Sequence, residues 1–170
     1  MDLQQLSASY AVRRLTEADI PAILALQTGN PQFFRYHPPL PSERSVREDL
    51  AALPPGKTAA DKYYVGFFSG EQFIAVLDLI LGYPDAQTAY IGFFMTAAAV
   101  QKRGVGSTII SDVRTCCKHL GFARLRLAID EGNPQSEAFW TKNGFRKTGE
   151  RRPSGAYAYL PKAVFCPERL

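Results

Sequence analysis

The residues best suited to do chemistry lie in one turn, Gln101-Lys102-Arg103-Gly104-Val105-Gly106-Ser107. An apolar run precedes it, and Val105, Ile109, Ile110 and Val113 follow at helical spacing. A helix start exposes unpaired backbone N–H groups and a partial positive charge. Glycines let that backbone approach an anion closely, and Lys102 and Arg103 add charge. The chemistry this turn offers is binding of a pyrophosphate. It is not the P-loop, because no Gly-Lys-Ser/Thr follows. It is not the G-x-G-x-x-G dinucleotide turn either, since Ile109 stands where the third glycine belongs. Standing alone, a glycine pair at a helix start is often only a turn.

The elements that must position this turn are legible from punctuation. Tyr10 to Arg14 reads as a short strand. A helix follows, capped by Thr16 or Asp19, with Pro21 in its first turn, where a missing N–H costs little. Gly29 to Pro41 is irregular. Ser42 caps a second helix to Leu53, ended by Pro54-Pro55-Gly56. Tyr63 to Phe68, Phe73 to Leu81 and Ala89 to Met95 read as an antiparallel meander. Val100 to Leu120 is expected to be helical, with Gly121 as its stop. Arg124 to Ile129 is a strand, Pro134 to Asn143 a helix, and Phe145 to Gly149 and Ala156 to Phe165 the final strands. No repeat or linker interrupts residues 1–170, so one α/β domain with a central sheet is expected.

With Gln101, Gly104 and Gly106, the turn resembles the Q/R-x-x-G-x-G/A signature of the GNAT acetyltransferases. Asn133, Ser136, Phe139-Trp140 and Lys142-Asn143-Gly144-Phe145 resemble that family's N-x-x-[A/S]-x-x-[F/L]-[Y/F]-x-K-x-G-F segment, at a suitable distance downstream. Leu15 to Ile20 is similar to the usual opening. The resemblance implies the GNAT fold, a mixed, mostly antiparallel sheet of about seven strands and about four helices, with the fourth and fifth strands splayed. It implies acetyl-CoA as co-substrate and direct attack by a primary amine in a ternary complex. Phe94, Met95 and Thr96 would then pair with the pantetheine arm, and a backbone N–H near Met95 or Thr96 would stabilise the oxyanion. Gln101 to Ser107 would hold the pyrophosphate. Asn133 would hydrogen-bond the arm, and Ser136, Phe139 and Trp140 would flank it. The two aromatics read equally well as core packing.

The chain departs from its relatives where acid and base are expected. Ribosomal-protein alanine acetyltransferases keep a tyrosine acid where Trp140 stands and a base glutamate where Ala128 stands. The histone-type glutamate would fall near Tyr90. Three explanations are open: the thiolate leaves unaided, a water chain carries the proton, or the roles have moved. Candidates for moved roles are Tyr90, Asp130, Glu131, Tyr157 and Tyr159. Strand tyrosines usually pack, and Asp130-Glu131 also reads as a solvated loop. The resemblance places the acceptor beside Gly29 to Pro41. There Phe33, Phe34, Arg35, Tyr36 and His37 suit a pocket for an amine with an apolar or anionic part, or form a proline-stiffened surface loop. A small molecule and a peptide are both admissible acceptors, and a homodimer is left open. A non-catalytic acyl-CoA-binding module is the alternative.

Composition narrows the rest. Hydrophobic residues are 46% and charged residues 21%, ordinary values for a globular protein. The net charge of +4 and pI near 9.0 are mild, and the basic residues are scattered, so no nucleic-acid partner is expected. No apolar run is long enough to span a bilayer, and the opening lacks signal-peptide character. A cytoplasmic location is the expectation. Cys116, Cys117 and Cys166 are too few and too poorly spaced for a disulfide framework or a zinc site, so no metal is expected.

Overall fold

The structure is a computed structural model; it describes residues 1–154, 157–167 and 170, apart from the side chains of 152–165 and 167. Seven strands form one sheet in the order β1-β2-β3-β4-β5-β7-β6. They are β1 (Ala11–Arg14), β2 (Lys62–Ser69), β3 (Gln72–Leu81), β4 (Thr88–Thr96), β5 (Arg124–Asp130), β6 (Phe145–Ser154) and β7 (Tyr157–Pro167). Every neighbouring pair is antiparallel except β4 and β5. The α-helices are α1 (Ile20–Thr28), α2 (Pro31–Phe34), α3 (Glu43–Ala51), α4 (Val105–His119) and α5 (Pro134–Lys142). No helix among the described residues is long and apolar enough to cross a membrane.

Each sheet face buries its own core, because strand side chains alternate. Leu77, Leu79 and Ile91 pack with Ile109, Ile110 and Val113 of α4, and with Trp140 and Phe145. Cys116 and Cys117 are buried in the same layer. On the opposite face Tyr64, Val76 and Met95 pack with Ile20, Ile23 and Leu26 of α1, and with Val46 of α3.

Several boundaries move by one or two residues, as at α3, which ends at Ala51 rather than Leu53, and three larger differences from the sequence reading each have a backbone reason. The helix expected from Val100 starts at Val105. Lys102 and Gly104 hold φ of 59° and 84°, a left-handed region no α-helix uses. The irregular Gly29–Pro41 segment contains α2, a single turn with proline at its start. The strand from Phe145 runs past Gly149 to Ser154. Gly149 holds φ 82° where the β6–β7 register shifts, so it makes a bulge rather than an end.

The sheet's important irregularity is a fork. β4 and β5 pair only from Thr88↔Arg124 to Ile91↔Leu127. Beyond that β4 continues to Thr96 beside β3, and β5 to Asp130 beside β7. The two strands part, and a cleft opens between them.

Candidate functional site

The cleft has a volume of about 1510 Å³ and runs from the start of α4, past the fork, to α3. Its basic end is the turn before α4. A left-handed residue among ordinary ones swings successive N–H groups to one side, which makes an anion-binding nest. Lys102 and Gly104 supply that geometry. Gly106 is needed for a different reason. A Cβ there would lie 3.1 Å from the Phe139 ring and 3.4 Å from Thr96 Cγ2. Lys102, Gly104, Val105, Gly106 and Ser107 line the cleft, whereas Arg103 is exposed and does not. Lys142 adds a second cation to this end.

Phe94, Met95 and Thr96 line the fork from one side, and Ala128, Ile129 and Asp130 from the other. Their backbones are not equivalent. Ala97 N–H donates to Ile74 O at 2.8 Å, and antiparallel bonding alternates along a strand. Met95 therefore turns its N–H toward β3, and Phe94 and Thr96 turn theirs toward the gap. Of the two expected donors, Thr96 has the required direction and Met95 does not. The ladder that stops at Ile91 leaves this edge of β4 available to an extended arm.

An aromatic wall closes one side. The Trp140 ring lies 5.0 Å from Phe139, 5.1 Å from Phe145 and 6.0 Å from Phe94. Trp140 is 6% exposed, so it is part of the core while also bordering the cleft. Ser136 borders it too. Asn133 is buried, and its Oδ1 accepts the Ser136 N–H at 3.0 Å as the cap of α5. Any hydrogen bond it gives a ligand must come from its amide.

Gln101 does something the sequence did not show. Its Nε2 donates to Thr96 O at 3.2 Å and to Asn30 Oδ1. Asn30 Nδ2 in turn donates to Thr96 O at 3.2 Å and to Leu26 O at 2.9 Å. The motif glutamine thus latches the α1–α2 junction onto the end of β4.

That latch sets the position of the acceptor-side segment. Phe33 and His37 face the cleft with rings 5.4 Å apart, and Phe33 also meets Phe93 edge-on at 5.8 Å. Phe34 borders the cleft but is largely core, and Tyr36 does not line it. His37 Nδ1 lies 2.9 Å from Asp130 Oδ2, across 93 residues of sequence. Asp130 is buried and His37 is partly accessible. The pair stands on the β5 arm of the fork, opposite Phe94 to Thr96.

The tyrosine candidates fare differently. Tyr90 lies before the fork, pairs in register with Arg126, packs edge-on against Tyr83 at 5.5 Å, and does not line the cleft. Tyr157 and Tyr159 are on β7, with side chains outside the described residues.

Sequence reading missed the acidic end of the cleft altogether. Asp78, Gly92 and Phe93 form its floor, with Glu48 and Asp49 above on α3. Lys62 Nζ donates to Asp78 Oδ2 at 2.8 Å and to Ala52 O at 2.9 Å. Burial still pushes the Asp78 carboxyl up to about 6, with Lys62 opposing the shift. The signal available was Asp78 itself, one charge inside the apolar run Phe73 to Leu81.

A forked α/β sheet thus sets a backbone anion nest at one end of the cleft and an imidazole–carboxylate pair across the gap. The sequence model of the acetyltransferase (GNAT) family matches residues 24–145, and the chain belongs to that family of enzymes. Among solved structures it is similar to an acetyltransferase from Thermus thermophilus. They share 23% identity and a TM-score of 0.76, covering 95% of this chain and 97% of that one. The ribosomal-protein-S18-alanine N-acetyltransferase from Escherichia coli is 14% identical with a TM-score of 0.64, covering 93% and 92%. The PaiA N-acetyltransferase from Thermoplasma acidophilum, solved in complex with coenzyme A, is 15% identical with a TM-score of 0.63, covering 94% and 99%. These likenesses establish the shared fold. No curated protein matches the chain.

Proposed function

We propose that this acetyltransferase moves the acetyl group of acetyl-CoA to a primary amine by direct attack in a ternary complex. The nest at Lys102 to Ser107, with Lys142, would hold the pyrophosphate. The gap-facing edge of β4 at Phe94 and Thr96 would pair with the pantetheine arm, and Asn133, Ser136, Phe139 and Trp140 would flank it. Acetyl-CoA supplies an acetyl group activated as a thioester. The Thr96 N–H is directed to donate to the thioester oxygen.

One observation carries the reading: the His37–Asp130 pair faces that edge across the fork. Glutamate and tyrosine are absent from the familiar places, and an imidazole held by a carboxylate supplies a proton acceptor instead. Asp130 orients the ring by taking Nδ1, which leaves Nε2 for the attacking amine. An N–C bond forms as the C–S bond breaks, the amine proton passes to His37, and CoA leaves as the thiolate. The thiolate is a fair leaving group without a dedicated acid. Trp140, whose indole only donates weakly, is not asked to serve as one.

The test is steady-state kinetics of His37→Ala with acetyl-CoA and a panel of amines. We expect kcat to fall on the order of 10²-fold with acetyl-CoA affinity retained. Wild-type kcat in the variant would remove His37 from the mechanism. Binding of acetyl-CoA with no acetylation of any amine, by wild type as well, would leave the non-catalytic module as the answer.

A further inference from the structure

The cleft is electrically two-ended. Lys102 and Lys142 border the end at α4, while Asp78, Asp49 and Glu48 border the end at α3. Among the described residues two cations answer these carboxylates: Lys62 pairs with Asp78, and the strongly exposed Arg44 pairs with Glu48, each at 2.8 Å. A chain of net charge +4 has therefore concentrated carboxylates where the acceptor's far end would lie.

A second feature there also calls for a ligand. Tyr64 is opposite Asp78 in the β2–β3 register, on the same face of the sheet. It is 2% exposed, and its hydroxyl has no hydrogen-bond partner among the described residues. Asp49 and Asp78 both push its ionisation up, so the hydroxyl lies within their field. Asp78 Oδ1 is likewise buried without a partner among the described residues. Lys62 engages only Oδ2, and Ala52 O takes another of its protons. Gly92 makes room for this carboxylate, because a Cβ there would lie 2.7 Å from Asp78 Oδ2.

We propose that this chamber, built on Asp78 with Asp49 and Glu48 above it, receives a second cationic group of the acceptor, so that short aliphatic diamines are the preferred substrates. The inference rests on the acetyl-transfer reading of the cleft. Asp78 Oδ1 accepts from the distal ammonium, and Asp49 and Glu48 add negative charge from α3. The other nitrogen, at the fork, gives its proton to His37 and takes the acetyl group. Spacing follows from the sheet. Asp78 pairs with Phe93 and Ala75 with Thr96, so the carboxylate is three residues, roughly 10 Å, back from the reacting end, and an ammonium–carboxylate hydrogen bond of about 3 Å leaves about 7 Å between the nitrogens. Three bonds of extended chain span about 3.8 Å, so two nitrogens about five or six bonds apart cover that distance.

The test compares pentane-1,5-diamine with pentylamine at saturating acetyl-CoA, for wild type, Asp78→Asn and Gly92→Ala. A hydrogen bond to a charged group predicts a kcat/KM ratio favouring the diamine by about tenfold or more in wild type. Both variants should bring the ratio toward one, and calorimetry should show weaker diamine binding to each CoA-loaded variant. Gly92→Ala crowds and shifts the carboxylate while keeping its charge to answer Lys62, so it reports even if Asp78→Asn folds poorly. A wild-type ratio near one, with pentylamine acetylated, would overturn the inference and leave the acetyl-transfer reading standing. A ratio unchanged in both variants would also overturn it. Acetylation of neither amine would overturn the inference, and failure across the whole amine panel would overturn the acetyl-transfer reading as well.

Discussion

Asp78 illustrates how a single residue links site and stability. Its carboxyl is raised by burial from 3.8 to about 6, with Lys62, Tyr64 and Asp49 around it. Folding therefore favours the protonated form. Below pH ~4 both states hold the proton and the group has no effect on stability. Between pH ~4 and about 6 the unfolded state gives up its proton while the folded state keeps it, so stability falls by about 3 kcal/mol and levels above about 6. Thermal unfolding of wild type and Asp78→Asn between pH 4 and 7 should show wild type losing ground over that window; parallel curves would contradict the account. Trp140 carries a second prediction. Three rings surround it, so Trp140→Phe should cost about 1–3 kcal/mol in denaturant unfolding with most of kcat retained. A collapse of kcat at unchanged stability would mean the indole takes part in the chemistry. At this scale the sequence was half legible. Glycine turn residues announced themselves by type, and His37 and Asp130 each stood out as titratable. Their pairing did not, because a loop without periodicity carries no record of what it faces. Asp78 and Tyr64 share a face only through strand register, which composition does not reveal.

Among the elements, the turn into α4 is the most constrained. Gly104 and Gly106 are irreplaceable for different reasons, which predicts different failures. At Gly104 a valine meets open space but must adopt φ 84°, so backbone strain of about 1–2 kcal/mol should distort the nest itself. At Gly106 the valine meets Phe139 and Thr96, and should push α4 from the fork. Both variants should weaken acetyl-CoA binding in calorimetry, and only Gly106→Val should also disturb the near-ultraviolet signal of the Phe139–Trp140 cluster. Wild-type affinity in both would move the phosphate site elsewhere. Helices and strands were legible from punctuation and period, down to Ser42 and Gly121. Errors fell where left-handed residues redirect the chain, at Lys102 and Gly149. The Gln101–Asn30–Thr96 latch was invisible because it joins the motif to a segment 71 residues away. Losing it through Asn30→Ala should loosen α2 and raise KM for the amine more than for acetyl-CoA.

Over the whole molecule, the fork makes one cleft out of two sheet faces. The α4–α5 face offers phosphate-binding backbone and aromatic packing. The α1–α3 face offers carboxylates and the His37–Asp130 pair. Acetyl-CoA and amine would thus approach from opposite ends and meet where β4 has lost its β5 partner. Acetyl-CoA bound in this way would engage α4, α5 and β4 of the folded state alone, so about 100-fold saturation should stabilise the fold by about 2.7 kcal/mol. The most direct test of the central claim counts products. Purified protein with acetyl-CoA and pentane-1,5-diamine should release CoA thiol and form N-acetylated amine in equal amounts, at a rate that depends on amine and falls sharply in His37→Ala. Acetyl-CoA binding with no amine-dependent thiol release from any amine tested would contradict it.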